Sequence, residues 1–173
     1  LRHFLKAFLY SEVEDLATDV HLDWKNLASF GPGDATATIF VLEIELQFFR
    51  KGEPRHPQLS WKAIIDTGFN GGLVLPRILK NSLGHLRYTG EYCNLLPIGK
   101  RDPDRSPKYA VKYRIEGIEE DLFSDRATFY DLPSFGSRVD ESRNSPIIVG
   151  MAVLERFKLC SDGSTRTFSL SLV

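Results

Sequence analysis

Ala63-Ile64-Ile65-Asp66-Thr67-Gly68-Phe69-Asn70-Gly71-Gly72 sets an acidic residue at the end of an apolar run, directly before a glycine-rich turn. A lone carboxylate at such a place is costly to bury unless it is paired or protonated. The plainest role for Asp66 is an Asx cap of its own turn. Gly68 lets the backbone approach the carboxylate closely. Upstream, LSWKAII (residues 59–65) reads as a strand, and KGEPRHPQ (51–58), with two prolines and a glycine, reads as a loop. Further back, Phe40, Leu42, Ile44, Leu46 and Phe48 alternate with polar Glu43, Glu45 and Gln47, which predicts a long half-buried strand within 35–49. Downstream, LVLP is a short strand and PRILKNSLGHL a short helix, with Pro76 in its first turn and Gly84 at its stop.

The rest of the chain is mostly strand-like. YTGEYCNLLPIG and YAVKYRIEGI flank the charged turn RDPDRSP and predict a hairpin with a long tip. RATFYDLP is a further strand, and FGSRVDESRNS, nearly devoid of apolar residues, is a mobile loop. SPIIVG is a compact apolar strand that leads into MAVLERF, about two helical turns. KLCSDGSTRTFSLSLV closes the chain as a hairpin turning near Asp162-Gly163, with Phe168, Leu170 and Leu172 on one face. The start differs. Leu5, Phe8, Leu9, Val13, Leu16, Ala17, Val20, Trp24 and Leu27 fall near a 3.6-residue period, so residues 1 to about 28 read as helix, stopped by GPGD at 31–34. The organisation expected is a helical extension over 1–34 and a mainly β domain over 35–173, closed or sandwich-like, with short helices.

Bulk properties exclude several classes of function. With 173 residues, 42% of them hydrophobic, the chain is long enough for one real core. A net charge of -1 argues against nucleic acid and anionic membrane surfaces as partners. No apolar run suffices to span a bilayer, and LRHFLKAFLY, interrupted by Arg2, His3 and Lys6, reads poorly as a secretory signal. Cys93 and Cys160 lack metal-site spacing; they could form one disulfide, but free thiols in a reducing compartment are expected, and with no signal or span read in the sequence a cytoplasmic setting is expected. His3, His21, His56 and His85 are scattered, so neither a metal nor another cofactor is expected.

AIIDTGFNGGLVLP resembles the active-site strand and turn of retropepsin-like aspartic proteases, in particular their bacterial-type members. PIIVGMAVLERFKL, far downstream, resembles the second signature of that family, an apolar pair and a glycine leading into a short helix. The resemblance covers roughly residues 35–173 and implies a closed acid-protease β-barrel. It implies that Asp66 is the catalytic aspartate, that the Thr67 hydroxyl ties two active-site turns together across a dimer, and that Gly68 permits close approach of the turn. Ile148, Val149 and Gly150 would support the loop from behind. The chain has one Asp-Thr-Gly, so the resemblance implies a homodimer in which each copy donates one Asp66, acting on a peptide or protein substrate, with the strand near Phe168–Val173 interleaved between copies. Phe69 stands where viral and pepsin-like members usually have a small residue, and with Asn70 after it becomes a candidate for lining the substrate channel. Gly99, in GKRDPDRS, marks the candidate flap, although that turn is charged and proline-containing rather than glycine-rich. The alternative is a domain of this kind that dimerises or binds peptide without hydrolysis.

Overall fold

A computed structural model describes residues 20–27, 39–96, 101–130, 146–162 and 167–173. Ten strands account for most of them: β1 (Val20–Leu27), β2 (Ile39–Arg50), β3 (Glu53–Ile65), β4 (Leu73–Leu75), β5 (Arg87–Leu95), β6 (Asp104–Ile115), β7 (Leu122–Phe129), β8 (Ile147–Val149), β9 (Phe157–Asp162) and β10 (Thr167–Leu172). One 3-10 helix (Arg77–Asn81) and one short α-helix, α1 (Met151–Leu154), complete the described elements. The mainly β expectation is met.

The sheet order is β5-β6-β7-β4-β8-β3-β2-β1-β10-β9, and β6 also pairs with β2. That extra pairing joins β2, β3, β8, β4, β7 and β6 into a ring of six strands. The alternation in β2 explains its role there: Ile44, Leu46 and Phe48 are buried inside while Glu43, Glu45 and Gln47 are only partly covered. Leu73, Leu75, Val111, Ile115, Leu122, Ile147 and Val149 fill the same interior. Each such side chain removed from water stabilises the fold by roughly 1.5–3 kcal/mol before entropy is counted. Tyr113 shares this core, with its ring 6.3 Å from that of Phe48, and burial pushes its hydroxyl well above the ordinary phenol range. On the outside, Lys112 and Arg114 converge on Asp121, Arg114 Nε donating to its carboxylate at 2.6 Å, and together they hold that carboxyl below the usual range.

Several local expectations are corrected. Residues 20–27, expected as the end of the helix, form β1, which pairs antiparallel with β2 (Trp24 opposite Leu42) and with β10 (His21 opposite Ser169). The described part of the 1–34 extension is therefore a member of the sheet; residues 1–19 and 28–34 lie outside the described residues. The expected loop 51–58 shrinks to a turn at Lys51-Gly52, where Gly52 has φ 90°, and β3 already begins at Glu53. Register shifts between Phe48 and Arg50 absorb the prolines, with Pro57 set opposite Phe49. The charged turn expected at 101–107 is shorter, because β6 starts at Asp104. The segment after Pro76 is a 3-10 helix that ends before Gly84, whose N–H instead donates to the Phe49 carbonyl at 2.7 Å. MAVLERF makes one turn of α-helix rather than two, because Phe157 is already buried as the first residue of β9. The C-terminal hairpin does form, with Leu170 buried and Phe168 and Leu172 packed against the core. The polar loop expected at 135–145 lies outside the described residues.

Candidate active site

β3 and β8 run side by side in parallel, with Ala63, Ile64 and Ile65 opposite Ile147, Ile148 and Val149. They therefore end together, and Asp66 emerges beside Gly150. β8 also pairs antiparallel with β4, Leu73 opposite Val149. The loop 66–72 consequently leaves β3, arches across the end of β8, and enters β4 on its far side. An ordinary hairpin has no strand inserted between its arms. Here the short apolar run Ile147–Val149 fills that slot: Ile147 and Val149 share one face and are fully buried, while Ile148 on the other face is only partly covered.

Hydrogen bonds fasten the arch. The Asp66 N–H donates to the Val149 carbonyl at 2.9 Å, extending the pairing by one residue. Beyond it, three N–H groups at the start of α1 donate to loop carbonyls: Gly150 to Gly72 at 2.8 Å, Met151 to Phe69 at 2.7 Å and Ala152 to Gly71 at 3.1 Å. The first N–H groups of any α-helix have no partner within the helix. In this chain the Asp66 loop supplies those acceptors, so helix and loop satisfy each other.

The Asp66 side chain is exposed and is held by its own turn: Oδ1 accepts the Gly68 N–H at 2.9 Å, and the Phe69 N–H donates to the Asp66 carbonyl at 3.2 Å. This is the Asx geometry expected of an acid before Thr-Gly. Thr67, Gly68 and Asn70 are exposed around it. The single chain thus presents one exposed carboxylate on a turn whose backbone is tied down.

Phe69, expected as a channel-lining candidate, also packs within the loop. Its half-buried ring lies across the loop itself, over Gly71 and against Gly150. A Cβ on Gly71 would coincide with the ring edge and stand 2.7 Å from both Cε carbons. A Cβ on Gly150 would strike the Gly71 carbonyl and lie 2.6 Å from the Phe69 carbonyl oxygen. Gly72 is closed in from the other side, where a Cβ would be 2.6 Å from the Arg126 carbonyl of β7. None of the three has a φ in the left-handed region, so what they supply is space. Sequence reasoning singled out Phe69 and Gly150 but not Gly71 or Gly72; the GFNGG spacing was the only available signal.

Gly99 lies outside the described residues. Residues 101–106 belong to the β5–β6 hairpin, which is tied to β7 by Thr128 Oγ1 donating to the Pro107 carbonyl at 3.1 Å; towards its tip, the Tyr130 hydroxyl donates to Asp104 Oδ2 at 3.0 Å. The hairpin carries an aromatic cluster that sequence reading passed over: Tyr88 and Tyr92, both half exposed, with Tyr109 and Phe129 behind them and Arg105 stacked 4.2 Å from the Tyr92 ring centre. Cys93 and Cys160 are free thiols on different strands. Among the described residues no group of three or more His, Cys, Asp or Glu could hold a metal ion, and no helix is long and apolar enough to cross a membrane.

Comparison with protein-family models finds no match, and comparison with curated proteins finds none either.

Proposed function

We propose that the chain is a retropepsin-like aspartic endopeptidase that works as a homodimer. The observation that carries this reading is the arched Asp66-Thr67-Gly68 turn, braced from behind by β8 and the N–H groups of Gly150, Met151 and Ala152, with its carboxylate facing outward. A lone exposed carboxylate is a poor catalyst for amide hydrolysis. Two of them about 3 Å apart cannot easily both ionise, so one keeps a proton and the pair titrates as a unit. Asp66 and Asp66 of the partner subunit would form that pair across a two-fold axis. The ionised member takes a proton from a water as it attacks the scissile carbonyl carbon. The protonated member hydrogen-bonds the carbonyl oxygen as charge develops there, and a proton then passes to the leaving nitrogen. The peptide lies extended across the dimer and is held in part by its own backbone hydrogen bonds. The hairpin β5–β6 is the candidate for covering it.

A second reading keeps the fold and the dimer but not the chemistry. The Gly68 N–H contact that Asp66 makes within its own turn is by itself a sufficient structural reason for an acid at this position. The two readings separate in one experiment: incubation of a diverse peptide pool between about pH 3 and 8, wild type beside Asp66→Asn, with the solution mass of each sample determined. Cleavage by the wild-type dimer alone supports the protease. A folded wild-type dimer that leaves every peptide intact, or equal cleavage by Asp66→Asn, refutes it in favour of the binding module.

A further inference from the structure

We infer that Arg126 is a specificity-determining residue of the Asp66 site, selecting peptides that carry an acidic side chain about four residues from the bond cut. The inference rests on the endopeptidase reading and names the substrate class of that same site. Strand register places the arginine there. Ile65, Val149, Leu73 and Ala127 lie side by side in one row across β3, β8, β4 and β7. β3 and β8 run parallel, β4 runs opposite to β8, and β7 runs parallel to β4, so the next position outward on these strands is Asp66, Gly150, Gly72 and Arg126 in turn. These four residues form one rim of the sheet. Three strand spacings, about 14 Å, separate its two ends. An extended peptide advances about 3.3 Å per residue, so a chain lying along the rim from Asp66 reaches Arg126 after about four residues.

Local packing fixes the side chain's root at that rim. Between Ala127, opposite Tyr109, and Ser124, opposite Val111, β7 carries one residue more than β6. The surplus falls at Asp125 and Arg126, both exposed between buried Ser124 and Ala127. A bulge of this kind re-aims a side chain, and bulges recur beside active sites. Ser124 fastens it, its hydroxyl oxygen accepting the Arg126 N–H at 3.3 Å. Gly72, at the end of the Asp66 loop, leaves the room: a Cβ there would stand 2.8 Å from the Arg126 Cβ and 2.9 Å from Ser124 Oγ. The arginine is thus seated against the loop that carries Asp66. Among the described residues no hydrogen bond or ion pair engages its guanidinium, and Asp125 beside it is in no ion pair either. Glu91 is already held by Lys108, which donates to it at 2.9 Å and is the main cause of its lowered carboxyl; Arg126 adds the smallest contribution. The guanidinium fork matches a carboxylate with two parallel N–H donors, and here it is exposed on the rim along which the peptide lies.

The test uses the full-length chain and libraries of short peptides in which one position at a time is fixed as Glu, Gln or Lys. At the fourth position or so from the bond cut, wild type should cleave Glu peptides about tenfold faster than Lys peptides at low salt, and the ratio should shrink as salt is raised. Arg126→Gln should level that ratio, and Arg126→Glu should reverse it. Asp125→Asn, which removes a like charge from the bulge, should raise it. Circular dichroism checks the fold of each variant. Equilibrium binding of the same libraries to Asp66→Asn and to Asp66→Asn/Arg126→Glu separates this inference from the reading beneath it. Glu-dependent binding that Arg126→Glu abolishes, with no cleavage by wild type, sinks the endopeptidase and leaves the arginine's selectivity intact. Cleavage with Glu and Lys equivalent at every position, or a Glu preference that survives Arg126→Glu, overturns the inference and leaves the endopeptidase. Absence of both cleavage and Arg126-dependent binding overturns both.

Discussion

Gly71 is the sharpest point at which the construction of the Asp66 loop can be tested. Its backbone suits any residue, so the cost of Gly71→Ala is purely the cost of space. The new methyl would fall on the edge of the Phe69 ring, which is itself pressed against Gly150 and has little room to retreat. Overpacking of this kind costs about 1–3 kcal/mol. Phe69→Ala alone removes a half-buried ring, and half of the usual core penalty is about 2 kcal/mol. If the two residues compete for one volume, the double variant should cost about 2 kcal/mol, not the additive sum of about 4, a coupling of about 2 kcal/mol. In thermal terms that coupling is about 4–8 °C of Tm for a chain of this length. Urea unfolding followed by circular dichroism on the four proteins measures it. Gly150→Ala supplies the contrast. Its Cβ would meet the backbone oxygens of Gly71 and Phe69, which stay in place whatever residue 69 carries, so Phe69→Ala should not rescue it. Additivity of Gly71→Ala and Phe69→Ala within about 0.5 kcal/mol, or a neutral Gly71→Ala, would show that the ring does not occupy this space.

Asp66→Asn should abolish cleavage while changing stability by less than about 1 kcal/mol, because the amide oxygen can still accept the Gly68 N–H; comparison of urea midpoints beside the peptide assay checks both halves. Asp121 should contribute to acid stability. Lys112 first and Arg114 second lower its folded pKa, so its contribution is complete above the unfolded value of about 4 and is lost as pH falls below it. Asp121→Asn should therefore cost up to about 1 kcal/mol near neutrality and nothing at the acid extreme, read from Tm as a function of pH. Gly52→Ala should destabilise by about 1 kcal/mol even though a Cβ there meets nothing within 4 Å, because φ 90° is strained for any side chain; thermal unfolding measures it directly.

What the sequence determined by itself was local. The period-two run of β2, the apolar strand that stops at Asp66, the two later hairpins and the placement of Asp-Thr-Gly at a strand end all depend on contacts between near neighbours, and periodicity reports those directly. β1 shows where that information stops. Val20, Trp24 and Leu27 suit a helix, while Val20, Leu22 and Trp24 suit a strand, and eight residues are too few to choose. Pairing with β2 on one side and β10 on the other decides it. The same holds for β3, whose prolines read as loop until a bulge against β2 accommodates them. The candidate site divides along this line as well. Asp66, Thr67 and Gly68 were legible as a motif. The insertion of β8 between β3 and β4, the use of the α1 N–H groups to hold the loop, and the turning of Phe69 onto Gly71 and Gly150 were not. Each joins residues far apart in the chain or depends on the volume left by an absent side chain, and only the packed structure specifies which segment fills that volume.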